Sequence, residues 1–151
     1  MALKDALGER HVAAFNVARM RAPLEDPLMS GFAQALDRIN AVADASPGFV
    51  WRLIGEDPND PAILSLGPSM LVNLSVWTDL PALSAYVYRS SHVEIFRRRS
   101  EWFLPLGAAN AVLWHVEVGH IPSLQEAVDR LRQLQTEGPS AHAFTFKQPA
   151  S

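Results

Sequence analysis

The segment that most constrains the fold is MLVNLSVWT at positions 70–78, which alternates along its whole length. One side of the alternation carries Met70, Val72, Leu74 and Val76. The other side carries Leu71, Asn73, Ser75 and Trp77. A period of two residues is that of a β-strand, whose successive side chains point to opposite faces of a sheet. Because large apolar side chains stand on both sides, we expect both faces of this strand to be costly to expose.

Other segments predict the elements around this strand. Further strands are predicted at 11–19, 49–55, 111–119 and, in the tail, 141–147. Asp26 followed by Pro27 is an N-cap with proline at the first helical position, and it predicts a helix over 27–44. A second helix is predicted over 79–90, whereas the proline-rich segment 56–69 is predicted to hold no regular element.

Two capping boxes predict further helix starts. Ser91 is followed by Glu94, and Ser123 is followed by Glu126, which is the spacing at which the two side chains cap each other's backbone. Gly138 and the proline after it end the last helix. The order strand, helix, strand, strand, helix, strand, with an appended helix and strand, is that of an α+β protein. We therefore predict a ferredoxin-like antiparallel sheet with helices on one face.

Length and composition narrow the class of protein. A chain of 151 residues suits one domain with its own core, so we treat 1–151 as a single domain. The absence of cysteine excludes disulfides, thiolate metal sites and cysteine nucleophiles. The net charge of −3 gives no drive toward nucleic acid or an anionic membrane. No apolar run approaches the roughly 20 residues of a membrane span, and no signal peptide is apparent. We expect a bacterial, cytoplasmic protein.

One face of the predicted sheet gathers polar and aromatic side chains. Alternation on the strands places on it Asn16, Arg52, Asn73, Trp77, His115 and Glu117. Such a mixture resembles the lining of a ligand pocket more than a plain solvated surface. We predict that this face lies away from the helices and that two sheets pack face to face in a homodimer, which encloses the pocket. The alternative is a wet sheet surface with isolated polar residues.

The segment YRSSHVEIFRRRSEWF at 88–103 supplies the other candidates. His92 lies in the first turn of a predicted helix, where the helix dipole favours the neutral imidazole that a general base or haem ligand requires. Tyr88 and Trp102 are predicted to edge a pocket on the same face. Arg99 follows His92 by two turns and is expected to contact a ligand carboxylate or a partner subunit. The alternative is a helix with a solvated, ion-paired face, because Arg97 and Arg98 have acidic neighbours Glu94 and Glu101 at helical spacing.

His115, Glu117 and His120 have a spacing that could hold a divalent metal, but His120 lies past Gly119 in a turn. We therefore predict no metal. His115 remains a candidate for proton transfer, as does His92, and either could serve as an axial haem ligand.

Six ordered stretches carry a family resemblance: FNVAR, RINAVADASPGFVWRL, LVNLSVW, LSAYVYRSSHVEIFRRRSEWF, LWHVEVGHIPSLQEAVDRL and GPSAHAFTF. In this order the chain resembles the bacterial domain of unknown function 3291 family. That resemblance implies a dimeric α+β barrel, a superfamily with cofactor-independent monooxygenases, haem proteins, dehydratases and isomerases. His115 stands where the family would lead us to expect an aromatic residue.

These observations leave three functions open. The first is a homodimeric enzyme without a cofactor, most simply a monooxygenase or an isomerase or dehydratase, acting on a small, partly aromatic substrate. In this enzyme His92 or His115 would transfer protons, and Asn16, Arg52 or Asn73 would orient the substrate. The second is a non-catalytic protein that binds a small ligand or haem. The third is a structural dimer whose sheet face is only the subunit interface.

Overall fold

Strand β1 (Arg10–Met20) is the central strand of the sheet in the computed structural model, which describes residues 10–89 and 92–147. It pairs antiparallel with β3 (Met70–Trp77) on one side and with β5 (Ala111–Glu117) on the other. Strand β2 (Phe49–Arg52) adds to the outer side of β3, and the short β4 (Phe103–Leu104) pairs with the end of β1. The order β2-β3-β1-β5 with all pairs antiparallel is the ferredoxin-like order. The predicted fold class is confirmed.

Helix α1 (Ser30–Ala45) connects β1 to β2. Asp26 begins the segment as predicted, although its side chain accepts from the Leu28 N–H to cap a 3-10 turn that precedes the helix proper. The buried residues of α1 recur at helical spacing and include Phe32 and Ile39. The chain then turns at Gly48, whose φ of +85° suits glycine and where a Cβ would overlap Ala82.

A short helix α2 (Pro61–Leu64) lies in the segment that was predicted to hold no regular element. That prediction was wrong, because Asp60 caps the helix and Pro61 occupies its first turn. The same Asp-Pro signal had been recognised at Asp26. The three prolines of the segment indicated an irregular loop, but one of them, Pro61, starts a helix.

Helices α3 (Leu80–Arg89) and α4 (His92–Trp102) connect β3 to the last strands. The predicted break between them lies outside the described part of the chain, as do Ser91 and the side chain of Glu94, so the break stays a prediction. The predicted capping box likewise stays a prediction. None of the helices in the described residues is both long and apolar enough to cross a membrane.

Helix α5 (Leu124–Glu137) covers the sheet face opposite to α1 and α3. Its start is as predicted, since the Ser123 hydroxyl accepts from the Glu126 N–H at 3.1 Å. Val128 and Leu131 join one buried cluster with Phe15 and Trp114 from the strands. The expectation of helices on one face holds for the crossover helices, but the appended helix closes the second face. The homodimer, and the face-to-face packing of two sheets with it, stays a prediction.

The tail forms isolated bridges, Leu113 with Phe144 and Ser140 with Ala143, rather than the predicted strand over 141–147. Leu113 and Phe144 exchange two backbone hydrogen bonds of 2.8 Å each, and the Phe144 side chain is buried. The prediction of a strand was therefore wrong about the length of regular pairing in the tail.

Candidate ligand-binding cleft

An opening in the helix layer lies above the middle of the sheet. Asn16 is on the central strand β1 and its register partner is Asn73 on β3, yet both residues are exposed. Four residues back along β1, Val12 and its partner Trp77 are fully buried on the same face. Helices α1 and α3 therefore cover this end of the sheet face, and the face is open at Asn16 and Asn73. Beyond them Leu71 packs against the buried cluster of Met29, Phe32 and Trp102.

A cavity of about 200 Å³ lies beside this opening, between α1 and the strands β2 and β3. Leu36 and Asn40 of α1 form one wall, residues 52–56 form the other, and residues 71–73 form the floor. We call the space lined by Asn40, Arg52, Glu56 and Asn73, with Asn16 next to Asn73, the amide cleft. Two of the four polar side chains that line the cavity, Asn40 and Asn73, are uncharged amides, which can both donate and accept hydrogen bonds.

Arg52 joins the two walls of the amide cleft. Its Nε donates to Asp44 Oδ1 at 2.7 Å and its Nη2 donates to Asp44 Oδ2 at 3.2 Å. The bidentate bond holds the pKa of Asp44 below its usual value and raises the pKa of Arg52 further. Both groups are charged at neutral pH, and the bond links β2 to the end of α1.

Three of the predicted binding residues, Asn16, Arg52 and Asn73, are thus brought together by the fold. Their common sheet face was predicted correctly, because side-chain alternation has a period of two. The prediction that this face lies away from the helices was wrong. Both faces of the strands are largely apolar, so their pattern does not say which face the crossover helices cover.

Trp77 is not part of a ligand site in this structure. It is 1% exposed, its ring stacks on Tyr86 at 4.8 Å, and its Nε1 donates to the Ser75 hydroxyl at 3.0 Å. Trp102 is likewise a core residue, 2% exposed and 5.6 Å from the Phe32 ring. The expectation that these tryptophans line or edge a pocket is corrected, because aromatic neighbours occupy their surroundings.

Two other candidates of the segment 88–103, Tyr88 and Arg99, lie outside the cleft lining. Tyr88 is 73% exposed at the end of α3, and Arg99 is exposed in the last turn of α4. The backbone of His92 begins α4, but its side chain lies outside the described part of the structure. Its predicted role in proton transfer or haem ligation therefore stays a prediction.

The basic run of α4 behaves largely as its spacing indicates. Arg98 donates to Glu101 through Nε at 2.9 Å and through Nη2 at 3.1 Å, as the helical spacing predicted. The Arg98 guanidinium also lies 4.5 Å from the centre of the Trp102 ring. This arginine therefore stabilises the outside of the helix layer.

His115 stands at the other end of the same sheet face. Its register partner Val12 lies four residues from Asn16, which corresponds to about 13 Å along the strand. The His115 ring is half-buried, 5.1 Å from the Phe144 ring, and burial lowers its pKa with a further contribution from the charge of Arg10. The imidazole is neutral at physiological pH, but it does not line the amide cleft.

The other members of the His115 motif also point elsewhere. Glu117 is exposed and is the register partner of Arg10. His120 Nε2 lies 2.7 Å from Glu126 Oε1, and Glu126 Oε2 accepts from Trp114 Nε1 at 2.9 Å. Within residues 10–89 and 92–147, no group of three side chains is arranged to hold a metal ion.

Sequence reasoning missed Asn40, Asp44 and Glu56. Asn40 follows the buried Ile39 on α1, so it borders the apolar stripe and a polar residue at that border was a usable signal. Glu56 lies in an irregular segment, and the partner of Asp44 lies across a turn on another strand. No periodic pattern identifies either of them.

The chain belongs to the family described as a domain of unknown function, DUF3291, whose sequence profile matches residues 11–151. This match confirms the predicted resemblance over nearly the whole chain. No functionally curated protein matches the chain. The chain is therefore a member of this family, but membership does not indicate an activity.

Three solved structures are similar to the chain. NE2512 of Nitrosomonas europaea, a protein of unknown function, has 13% identity and a TM-score of 0.48 over 76% of this chain and 95% of its own. PA3566 of Pseudomonas aeruginosa has 12% identity and a TM-score of 0.49 over 74% of this chain and 95% of its own. SnoaB of Streptomyces nogalater, a cofactor-independent oxygenase, has 14% identity and a TM-score of 0.44 over 78% of this chain and 98% of its own.

Proposed function

We propose that the amide cleft binds a small, partly aromatic molecule and that the protein acts on it without a bound cofactor, as a monooxygenase or an isomerase. One observation carries this proposal. Asn16 and Asn73 are exposed in the middle of a sheet face, next to a cavity that Asn40 and Arg52 also border. Polar side chains from three strands and a helix that converge on an apolar-walled cavity are the usual mark of a small-molecule site.

The amides suit a substrate that becomes an enolate or phenolate. An amide N–H that donates to the substrate oxygen stabilises the negative charge that develops there when a proton leaves. The deprotonated substrate is the form that reacts directly with dioxygen or that moves a double bond. Leu36, Leu53 and Leu71 supply apolar contacts for a ring system.

Glu56 is the proton acceptor that we propose for this chemistry. It is the carboxylate among the residues that line the cavity, whereas His115 stands at the far end of the sheet face. A general base must come within hydrogen-bond reach of the proton that it takes. His92 stays the alternative base that the sequence predicts. The homodimer and the cytoplasmic location also stay predictions.

A second candidate function is binding without turnover. It is favoured by the amide-rich lining, because amides neither take up nor release protons at neutral pH. Haem fits this cleft poorly, since an axial ligand must face the open space and none of the described histidines lines it.

The two functions separate by calorimetry and oxygen uptake. We expect naphthol to bind the wild-type protein and to bind Asn73→Thr several-fold more weakly, whereas Asn59→Thr, in an exposed loop outside the cleft, binds as the wild type does. In air, the protein should convert naphthol and dioxygen into naphthoquinone and water faster than the spontaneous rate, and Glu56→Gln should remove the difference.

Binding without any enhanced turnover would support the second function. Equal binding by wild type and Asn73→Thr, or no binding by either, would contradict both.

A further inference from the structure

We infer that the amide cleft selects neutral ligands and rejects carboxylates, although an arginine borders it. This inference rests on the proposed function, because it concerns the ligand of the same cleft. It names the substrate class as an uncharged ketone, phenol or quinol in place of an aromatic acid.

The charge of Arg52 is already compensated. Asp44 accepts from both Nε and Nη2, and Glu56 contributes a second carboxylate to the same wall. Among the residues that line the cavity, Arg52 and Glu56 are the charged ones. Two carboxylates therefore surround one guanidinium, and a bound anion meets more negative than positive charge.

The geometry of the pair reinforces the charge balance. A carboxylate binds arginine best when two parallel N–H bonds meet its two oxygens. Asp44 occupies the edge of Arg52 that carries Nε and Nη2, at 2.7 Å and 3.2 Å. A ligand carboxylate would have to use the remaining donors, and both protein carboxylates would repel it there.

The amides offer no replacement for a second cation. Asn40 and Asn73 can each donate one or two hydrogen bonds, which satisfies a carbonyl or hydroxyl oxygen fully. A carboxylate that leaves water for a partly enclosed site needs a compensating charge or several strong donors, and its transfer is costly without them. The desolvation cost of a neutral oxygen is much smaller.

The test uses three bicyclic probes of similar size, naphthol, tetralone and naphthoate, with affinities from calorimetry. We expect the wild type to bind naphthol and tetralone, and to bind naphthoate at least about tenfold more weakly. Asp44→Asn should raise the affinity for naphthoate relative to naphthol by about tenfold, because it frees the Arg52 charge. Glu56→Gln should shift the ratio in the same direction without touching the bond between Arg52 and Asp44.

Asp129→Asn is the matched control. Asp129 lies on α5 behind the opposite sheet face and accepts from Gln125, so its substitution changes the net charge equally without altering the cleft. It should leave the ratio of the two affinities unchanged.

The outcomes distinguish failure of the ligand selectivity from failure of the proposed function. Naphthoate bound as tightly as naphthol by the wild type would overturn the selectivity and leave the binding function intact. An unchanged ratio in both Asp44→Asn and Glu56→Gln would overturn its electrostatic cause. No binding of any of the three probes would refute the proposed function, and the selectivity with it.

Discussion

The two faces of the sheet are built from alternate residues of the same strands, yet helices cover them to different extents. On the face under α5, Phe15, Leu74 and Trp114 are fully buried and form one cluster with the helix. On the face under α1 and α3, the same strands change from buried Val12 and Trp77 to exposed Asn16 and Asn73 within four residues. One face is closed throughout, and the other is closed at Val12 and Trp77, open at Asn16 and Asn73, and partly closed again at Leu71.

This difference separates stability from recognition within single strands. Because neighbouring side chains point to opposite faces, a residue can serve the core while the next one serves the cleft. Leu74 and Asn73 are such neighbours. Substitutions on the two faces should therefore affect different measurements.

Trp114→Ala should cause the largest loss of stability. The indole is fully buried and its Nε1 donates to Glu126 at 2.9 Å, so truncation leaves a cavity and an unpaired carboxylate oxygen. We expect the free energy of unfolding to fall by about 3 to 5 kcal/mol in urea denaturation. Asn73→Thr on the other face should change it by less than about 0.5 kcal/mol. Equal losses of unfolding free energy in the two variants would contradict the proposed difference between the faces.

Tyr86 should make the closed end of the α1 face sensitive to alkali. Burial raises the pKa of Tyr86 to about 12, and its hydroxyl donates to the Ile39 carbonyl at 3.3 Å. The unfolded chain loses this proton near pH 10, so the stability is complete below that pH and declines as pH rises toward about 12. The decline should reach about 2 kcal/mol.

Urea denaturation as a function of pH measures this decline, and Tyr86→Phe should abolish it. A variant that retained the same alkaline slope would show that another group is responsible.

Removal of the two central amides should affect binding and spare stability. We expect the double variant Asn16→Thr, Asn73→Thr to weaken naphthol binding by about tenfold. Each substitution removes an amide donor, and each lost donor costs about the free energy of one hydrogen bond. Threonine favours strands, so the free energy of unfolding should stay within about 0.5 kcal/mol. A double variant that binds normally would place the ligand elsewhere.

The bond between Arg52 and Asp44 should contribute least to stability. Asp44 is about half exposed, and such pairs typically stabilise a protein by less than about 1 kcal/mol. Asp44→Asn should therefore leave urea denaturation almost unchanged while it alters ligand selectivity. A large loss of stability would show that the bond mainly holds α1 against β2.

Much of the fold could be predicted because its signals are local. Alternation located β1, β3 and β5 and placed Asn16 and Asn73 on one face, and the serine cap located the start of α5. The side of the sheet that the crossover helices cover is a tertiary property, and two apolar faces give no local sign of it. For the same reason the sequence did not show that α5 would fill the second face.

The site was harder to predict than the fold. Trp77 and Trp102 stand near polar residues in sequence, but Tyr86 and Phe32 occupy the space around them. Such packing involves residues far apart in the chain, so spacing does not show it. The bond between Asp44 and Arg52 links a helix end to an edge strand, and it is visible only once both are in place.

The side-chain amide signals of the asparagines test the central claim most directly, by nitrogen–proton correlation NMR during a titration with naphthol. We expect the amide signals of Asn16, Asn40 and Asn73 to move with a common affinity, whereas the Trp114 indole N–H signal should stay in place. Movement of the Trp114 signal without movement of the three amides would contradict it.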